Sequence, residues 1–190
     1  MHAAAEHHFD ATKIKAIIGL GNPGAAYLRH RHGIGFRVLD ALAEHCGLHW
    51  RHGEIMMHAQ GQLSASNSHE VILVKPLTFM NNSGRVIGFL QKKGIKPDEI
   101  MVVHDELEKP FGQAHVRWGG SARGHNGLRS IIGVIGQDFW RLRIGVGRPE
   151  NKEEVPQYVL SNFPPDQERV LPEVFTQIFE LIGIRQHAND

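Results

Sequence analysis

Of the fourteen histidines in this 190-residue chain, His32 stands where an imidazole can serve as a base. Gly33 and a helical period follow it directly, so the ring lies beside the positive end of a helix dipole. That field favours neutral imidazole. A carboxylate on the other side would fix the tautomer and raise the basicity, and the two influences together hold the pKa near neutrality. Asp105 is the candidate carboxylate, because it ends the short apolar run "IMVVHD". Amides stand at equivalent places: Asn22 after "AIIGLG", Asn81 and Asn82 after "VILVKPLTFM", and Asn126, with His125, beyond "HVRW". Each has an ordinary reading alone, since asparagine favours turns and a terminal aspartate often caps a loop. The coincidence of several is what carries weight. There is no paired serine motif, and Cys46 lies in a helical pattern that fits buried packing. The chemistry implied is therefore direct attack by an activated water rather than covalent catalysis. His30, His104 and His115 have no comparable context. The spacings His2 to His7 and His30 to His32 suit stray metal, but no H-E-x-x-H or Cys/His grid exists, so no metal enzyme is expected.

Several elements must position these groups. "KAIIGLG" reads as a strand, and Ile34, Val38, Leu42 and Cys46 at fourfold spacing mark an amphipathic helix ended by Gly47. "GQLSAS" and "EVILVKP" read as neighbouring strands, followed by the loop "LTFMNNSG" and a helix near "GRVIGFLQKKG". "EIMVVHDE" and "AHVRW" are further strands, "GHNGLRSIIGVIG" is a glycine loop entering a helix, and "WRLRIGVG" is expected to close the sheet. The tail ends in a helix with Val170, Val174, Ile178 and Ile182 in register, Pro172 marking its first turn or a break. This is an α/β pattern. In such sheets ligands gather outside the carboxyl ends of the strands, and parallel neighbours would bring the polar groups into one cleft.

Gly19, Gly21 and Gly24 fit the G-x-G-x-x-G of a dinucleotide-binding turn, yet its two further conditions fail. The helical period after Gly24 starts only near Ile34, and the acidic candidate Glu44 falls inside that helix rather than at a strand end. No nicotinamide or flavin cofactor is expected; a flat titration of protein fluorescence with NAD would close that reading. One globular domain is expected over residues 14–190, preceded by a flexible tail over 1–13. No apolar run approaches a membrane span, no secretory signal is visible, and a lone cysteine fits a reducing compartment, so the expected location is the cytoplasm. A net charge of +1 hides an asymmetry. Residues 109–152 hold Lys109, Arg117, Arg123, Arg129, Arg141, Arg143, Arg148 and Lys152 against Asp138 and Glu150, and the acidic excess lies beyond. Charge alone fits a solvated surface, but an arginine-dominated excess also suits a phosphate-binding face.

The blocks "GLGNPGAAYLRHRHGIGF", "KPLTFMNNSG", "HDELEKPFG", "RGHNGLRSI", "RLRIGVGRP" and "VPQYVLSNF" occur in the order, and at about the spacing, of the bacterial-type peptidyl-tRNA hydrolase family, which the chain resembles from Ile14 to Ile182. The resemblance implies a single α/β domain with a mixed, mostly parallel sheet surrounded by helices, a monomer, and neither metal nor nucleotide cofactor. It implies hydrolysis of the ester joining a peptide carboxyl to the terminal ribose of tRNA. Carried over residue by residue, it makes His32 the general base, Asp105 its stabiliser, and Asn22 the catalytic-site residue that tells blocked from free aminoacyl-tRNA. Tyr27, Phe79, Asn81 and Asn126 would contact the peptidyl-tRNA end, with Met80 lining the crevice and His125 near its gate. Phe79 and Met80 have a plainer reading as core. Arg117, Arg143 and Lys152 would face tRNA phosphates, whereas Arg129 and Arg141 are set aside as structural pairs. Two positions depart from the family pattern. Gly33 replaces a usual asparagine, which puts the local hydrogen bonding of the base in question. Arg123 replaces a usual glycine, adding a cation to a gate loop and tightening tRNA binding or narrowing access. The alternative function is a catalytically inactive RNA-binding relative, of the splicing-factor kind.

Overall fold

The computed structural model describes residues 7–64 and 69–184. Its strands are β1 (Ala16–Gly19), β2 (Arg51–His52), β3 (Met56–Gly61), β4 (Val71–Pro76), β5 (Ile100–Glu106), β6 (Ala114–Trp118) and β7 (Trp140–Gly145). Its α-helices are α1 (Ile34–His45), α2 (Ile87–Lys92), α3 (Asn126–Ile135), α4 (Val155–Val159) and α5 (Pro165–Leu181). The strands form one sheet in the order β2-β3-β4-β1-β5-β7-β6. β4, β1, β5 and β7 run parallel, with Ile17 opposite both Leu73 and Met101, and the remaining pairs are antiparallel. The mixed, mostly parallel α/β architecture expected from the sequence is thus present.

The central strands are continuous apolar runs because both their faces are covered. Consecutive side chains of β1 divide between two cores: Ile17 joins Val38, Leu39, Leu42 and Ile178 under α1 and α5, while Ile18 joins Ile87, Leu90, Ile131 and Phe139 under α2 and α3. β6 alternates half-buried with exposed residues, as an edge strand with one covered face does. It is β6, therefore, and not the "WRLRIGVG" strand, that ends this side of the sheet; β7 lies inside, between β5 and β6. On the other side, β3 is drawn from Met56–Gly61, ahead of the expected "GQLSAS" strand, and residues 65 and 66 of that segment lie outside the described residues. α5 runs through Pro172, although an interior proline removes a backbone bond and costs about 3 kcal/mol. Leu171, Val174, Phe175, Ile178 and Phe179 are buried around it and hold the helix together, while Val170 is turned outward. Within the expected tail, Phe9 meets Trp140 edge-on at 5.2 Å and Asp10 caps a 3-10 turn over Ala11–Lys13, while His7, His8, Thr12 and Lys13 are exposed.

The glycines of the opening motif have two separate physical causes. Gly24 has φ of 108°, a left-handed conformation that glycine adopts without strain. Gly19 and Gly21 instead allow close packing, since a Cβ would lie 2.5 Å from the Gly35 carbonyl oxygen in the first case and 2.7 Å from the Phe36 ring in the second. Gly35 completes the contact from the helix side, because its Cβ would lie 2.5 Å from both Leu20 N and Val103 O. α1 therefore presses backbone to backbone on β1 and β5. Gly35→Ala should lose about 3 kcal/mol of stability, the upper part of the overpacking range, because no flexible side chain is there to give way. A urea midpoint equal to wild type would contradict that packing.

Candidate active site

The carboxyl ends of β1, β4 and β5 lie side by side, and the loops leaving them carry the expected polar groups. His32 sits in a 3-10 turn (Arg31–Gly33) that leads into α1. The turn is fastened from outside. Buried Arg31 donates from Nη1 to Ser161 Oγ and to the Asn162 carbonyl, each at 2.6 Å, and its guanidinium lies 4.2 Å above the Tyr158 ring. A backbone bridge between His30 and Asn162 adds a second tie. Gly33 is the N-cap of α1 and supplies no side-chain cap. That loss amounts to a few tenths of a kcal/mol relative to asparagine, and the His32 ring is bonded to Asp105 with glycine in place.

His32 Nδ1 lies 2.9 Å from Asp105 Oδ1, and the same oxygen lies 2.9 Å from His125 Nε2. The protons in this arrangement follow from its ends. His125 is the N-cap of α3, and its Nδ1 accepts from the amides of Gly127 at 3.2 Å and Leu128 at 3.3 Å. Its proton is therefore on Nε2, which donates to Asp105. The ionised carboxylate can only accept, so His32 also donates to it, from Nδ1. The remaining nitrogen of His32, Nε2, has no protein partner among the described residues and keeps its lone pair.

Burial opposes protonation of His32, but the Asp105 charge and its hydrogen bond outweigh it, and the imidazole pKa is raised above its ordinary value. Burial likewise favours neutral Asp105, yet the charge interactions with His32 and His125 and the bonds from both rings hold its carboxyl well below the usual range. His104 stands behind them. Burial first, and His125 second, push its pKa down to about 3, so it is neutral and donates from Nδ1 to the Asp105 carbonyl at 2.7 Å. It meets the His125 ring edge-on at 5.2 Å. Nothing in the sequence pattern singled it out, because strand alternation sends the neighbours of Asp105 to the opposite face.

The asparagines occupy the surrounding loops. Asn22 accepts from the Met80 amide through Oδ1 at 2.9 Å, tying the loop after β1 to the loop after β4. Met80 itself is buried, 5% exposed, among Leu20, Leu128 and Ile131, which matches the plainer core reading of its side chain. Phe79 is 57% exposed and meets Tyr27 edge-on, with ring centres 6.2 Å apart. Asn81 is exposed beside it. Asn126, in the first turn of α3, accepts from Arg129 Nη1 at 3.1 Å, so Arg129 orients this amide with its NH₂ group outward. This bond is in keeping with the structural pairing expected of Arg129, and the i, i+3 spacing on a helix is the signal for its partner.

A cavity of about 710 Å³ has His32, Asp105, His125 and Asn126 in its wall together with the expected basic groups Arg117, Arg143 and Lys152. Asn22, Tyr27, Phe79 and Asn81 lie outside that lining. The basic groups are not equivalent. Arg143 is held by Glu106 through Nε at 2.7 Å and Nη2 at 2.5 Å, whereas Arg117 and Lys152 have no ion pair among the described residues. Buried Arg141 donates to the carbonyls of Gly120 and Ser121, in keeping with the structural role expected of it. From the acidic tail, Glu168 binds Arg37 through two bonds of 2.8 Å. Six cations of the basic segment face the cavity, and none of them pairs with the tail among the described residues. His32, Asp105 and His125 place three donor atoms within 4.8 Å of one another, but a metal there would have to displace both ring protons now bonded to the carboxylate.

Three comparisons show what the chain is similar to. The chain is 44% identical over 172 residues to the peptidyl-tRNA hydrolase of Aquifex aeolicus, covering 85% of this chain and 84% of that protein. It is 42% identical over 173 residues to that of Chloroflexus aggregans, covering 88% and 90%. Its backbone superposes on the crystal structure of peptidyl-tRNA hydrolase from Acinetobacter baumannii with a TM-score of 0.84 at 34% identity, over 92% of this chain and 89% of that one. The Peptidyl-tRNA hydrolase family model matches residues 16–188, and the chain belongs to that family.

Proposed function

We propose that the chain hydrolyses the ester of peptidyl-tRNA with a water activated by His32, releasing free tRNA and peptide. The carrying observation is the double use of Asp105 Oδ1, which accepts from both imidazoles, fixes the tautomer of His32 and leaves its Nε2 lone pair open. Nε2 takes a proton from water as its oxygen bonds to the ester carbonyl carbon, and the carbonyl oxygen becomes an oxyanion. The tetrahedral intermediate then breaks its bond to the ribose oxygen, which receives the proton from the His32 imidazolium. Atoms and charge balance without any further reagent. The outward NH₂ group of Asn126 is suited to donate to the oxyanion, and amides do this without titrating. Phe79 and Tyr27 offer apolar contact to the peptide end, with Asn81 beside them and Met80 shaping the crevice through its backbone. Arg117, Lys152 and the Glu106-bound Arg143 face the phosphates of the acceptor stem, contacts that supply affinity without reading sequence. Among the described residues no helix is long and apolar enough to cross a membrane. We place the activity in the cytoplasm, in a monomer.

The direct test is release of free tRNA from a purified N-blocked aminoacyl-tRNA. Turnover supports the hydrolase; tRNA binding without turnover would favour the inactive RNA-binding alternative. Asn22 gives a finer check. Asn22→Asp keeps the oxygen that accepts from the Met80 amide but removes the donor, so thermal stability should stay within about 1 kcal/mol of wild type while hydrolysis falls about tenfold or more. Unchanged hydrolysis would leave Asn22 as a loop fastener alone.

A further inference from the structure

Six cations line the cavity, and three of them are engaged by the protein: Arg141 by backbone carbonyls, Arg143 by Glu106 and Arg148 by Glu108. The other three, Arg117, Arg123 and Lys152, make no hydrogen bond or ion pair among the described residues, and all three are exposed. Arg123 is the unusual member. Its φ of 46° makes it the non-glycine residue with a left-handed backbone among the described residues, in a loop where Gly119, Gly120 and Gly124 are left-handed as well. A side chain is strained in that conformation, and none of its contacts within the chain offsets the strain. The loop is anchored on both sides of it. Arg141 holds the carbonyls of Gly120 and Ser121, and His125, two residues later, is bonded to Asp105. The guanidinium is therefore carried by a fixed support next to the reacting groups and has no partner of its own.

We propose that Arg123 is an additional anion contact, which binds a phosphate of the tRNA strand entering the cavity beside His125. This rests on the tRNA reading of the cavity given above and extends it by one residue and one phosphate. A planar guanidinium suits two phosphate oxygens at once, and a contact to a phosphodiester lends affinity to every tRNA alike. The crowding of the cavity wall is consistent with it: burial, then Arg117 and Arg143, lower the Arg141 pKa to about 10. An anion would relieve that mutual repulsion.

The test is binding of deacylated tRNA across a salt series by wild type, Arg123→Gly, Arg123→Lys and Arg117→Ala. Glycine relieves the backbone strain, so Arg123→Gly should melt about 2 °C higher than wild type and yet bind more weakly, about fivefold at low salt. The slope of log affinity against log salt should fall by about one, and Arg123→Lys should restore most of it. A flatter slope for Arg117→Ala with an unchanged slope for Arg123→Gly would overturn the Arg123 contact while keeping tRNA in the cavity. Unchanged slopes for both would overturn the contact together with the tRNA reading of the cavity.

Discussion

Replacement of His32 by alanine is expected to lower the rate of tRNA release by about 10²- to 10⁴-fold, the range of a positioned general base. Binding of deacylated tRNA should survive, because no cation of the cavity is touched. The separation matters, because it distinguishes chemistry from docking. His32 is 14% exposed at the side chain, so its loss opens little apolar surface, but it removes one of the two donors to a buried carboxylate. A modest drop in stability should accompany the loss of rate, on the order of 1–3 kcal/mol. His32→Gln is the useful companion, since its amide can still donate to Asp105 without offering a basic nitrogen. A variant that recovers stability and stays slow assigns the rate to the base; a variant as fast as wild type would remove His32 from the chemistry altogether.

Much of this site was legible in the sequence for a plain reason. Parallel strands in an α/β sheet gather their carboxyl ends, so Asn22, Asn81 and Asp105 fall at one edge of the sheet once β4, β1 and β5 are adjacent, although Asn22 and Asn81 lie outside the cavity that Asp105 lines. The helix starting after Gly33 was equally legible, because Ile34, Val38 and Leu42 repeat at helical spacing and all three are buried. What escaped depends on through-space partners. The second ring on Asp105 comes from the N-cap of α3, 20 residues along the chain, and neither burial nor period announces such a bond. The clamp on the His32 turn is longer still, Arg31 reaching Ser161 across 130 residues. The glycine motif owes its spacing to packing. Its spacing resembles a phosphate turn, whereas two of its glycines serve only to let α1 touch β1. Met80 shows the limit of reading roles from position: its neighbours Phe79 and Asn81 are exposed, while its own side chain fills the core.

Asp105→Asn should have the second largest effect and a distinctive dependence on pH. With His32 raised by Asp105, wild-type kcat/KM should fall as the pH drops through a value above the ordinary imidazole pKa of about 6.5. Without the carboxylate charge, burial is left as the leading influence and shifts the imidazole the other way. The acidic limb should therefore move to lower pH, while the plateau falls about 100-fold, since the imidazolium formed during reaction has lost its counter-charge. The same pair makes a stability prediction whose signs are opposed. Asp105, depressed in the folded state, stabilises above its ordinary pKa of about 3.8 and loses that contribution as the pH falls toward its folded value. His32, raised in the folded state, stabilises fully below about 6.5 and loses that contribution as the pH rises through its folded value. The two overlap between about pH 4 and 6.5, so Asp105→Asn should cost more stability at pH 5.5 than at pH 8.5 in denaturant titrations. An equal cost at both would mean that the pair acts through neutral hydrogen bonds alone. An acidic limb that stays in place would assign the kinetic titration to a group other than His32. The amide also tests the tautomer argument: the cap of α3 pins the proton of His125 to Nε2, so an asparagine oxygen turned toward both rings would preserve the geometry. Retained structure with a displaced acidic limb would then isolate the charge of Asp105, rather than its shape, as what makes His32 a base.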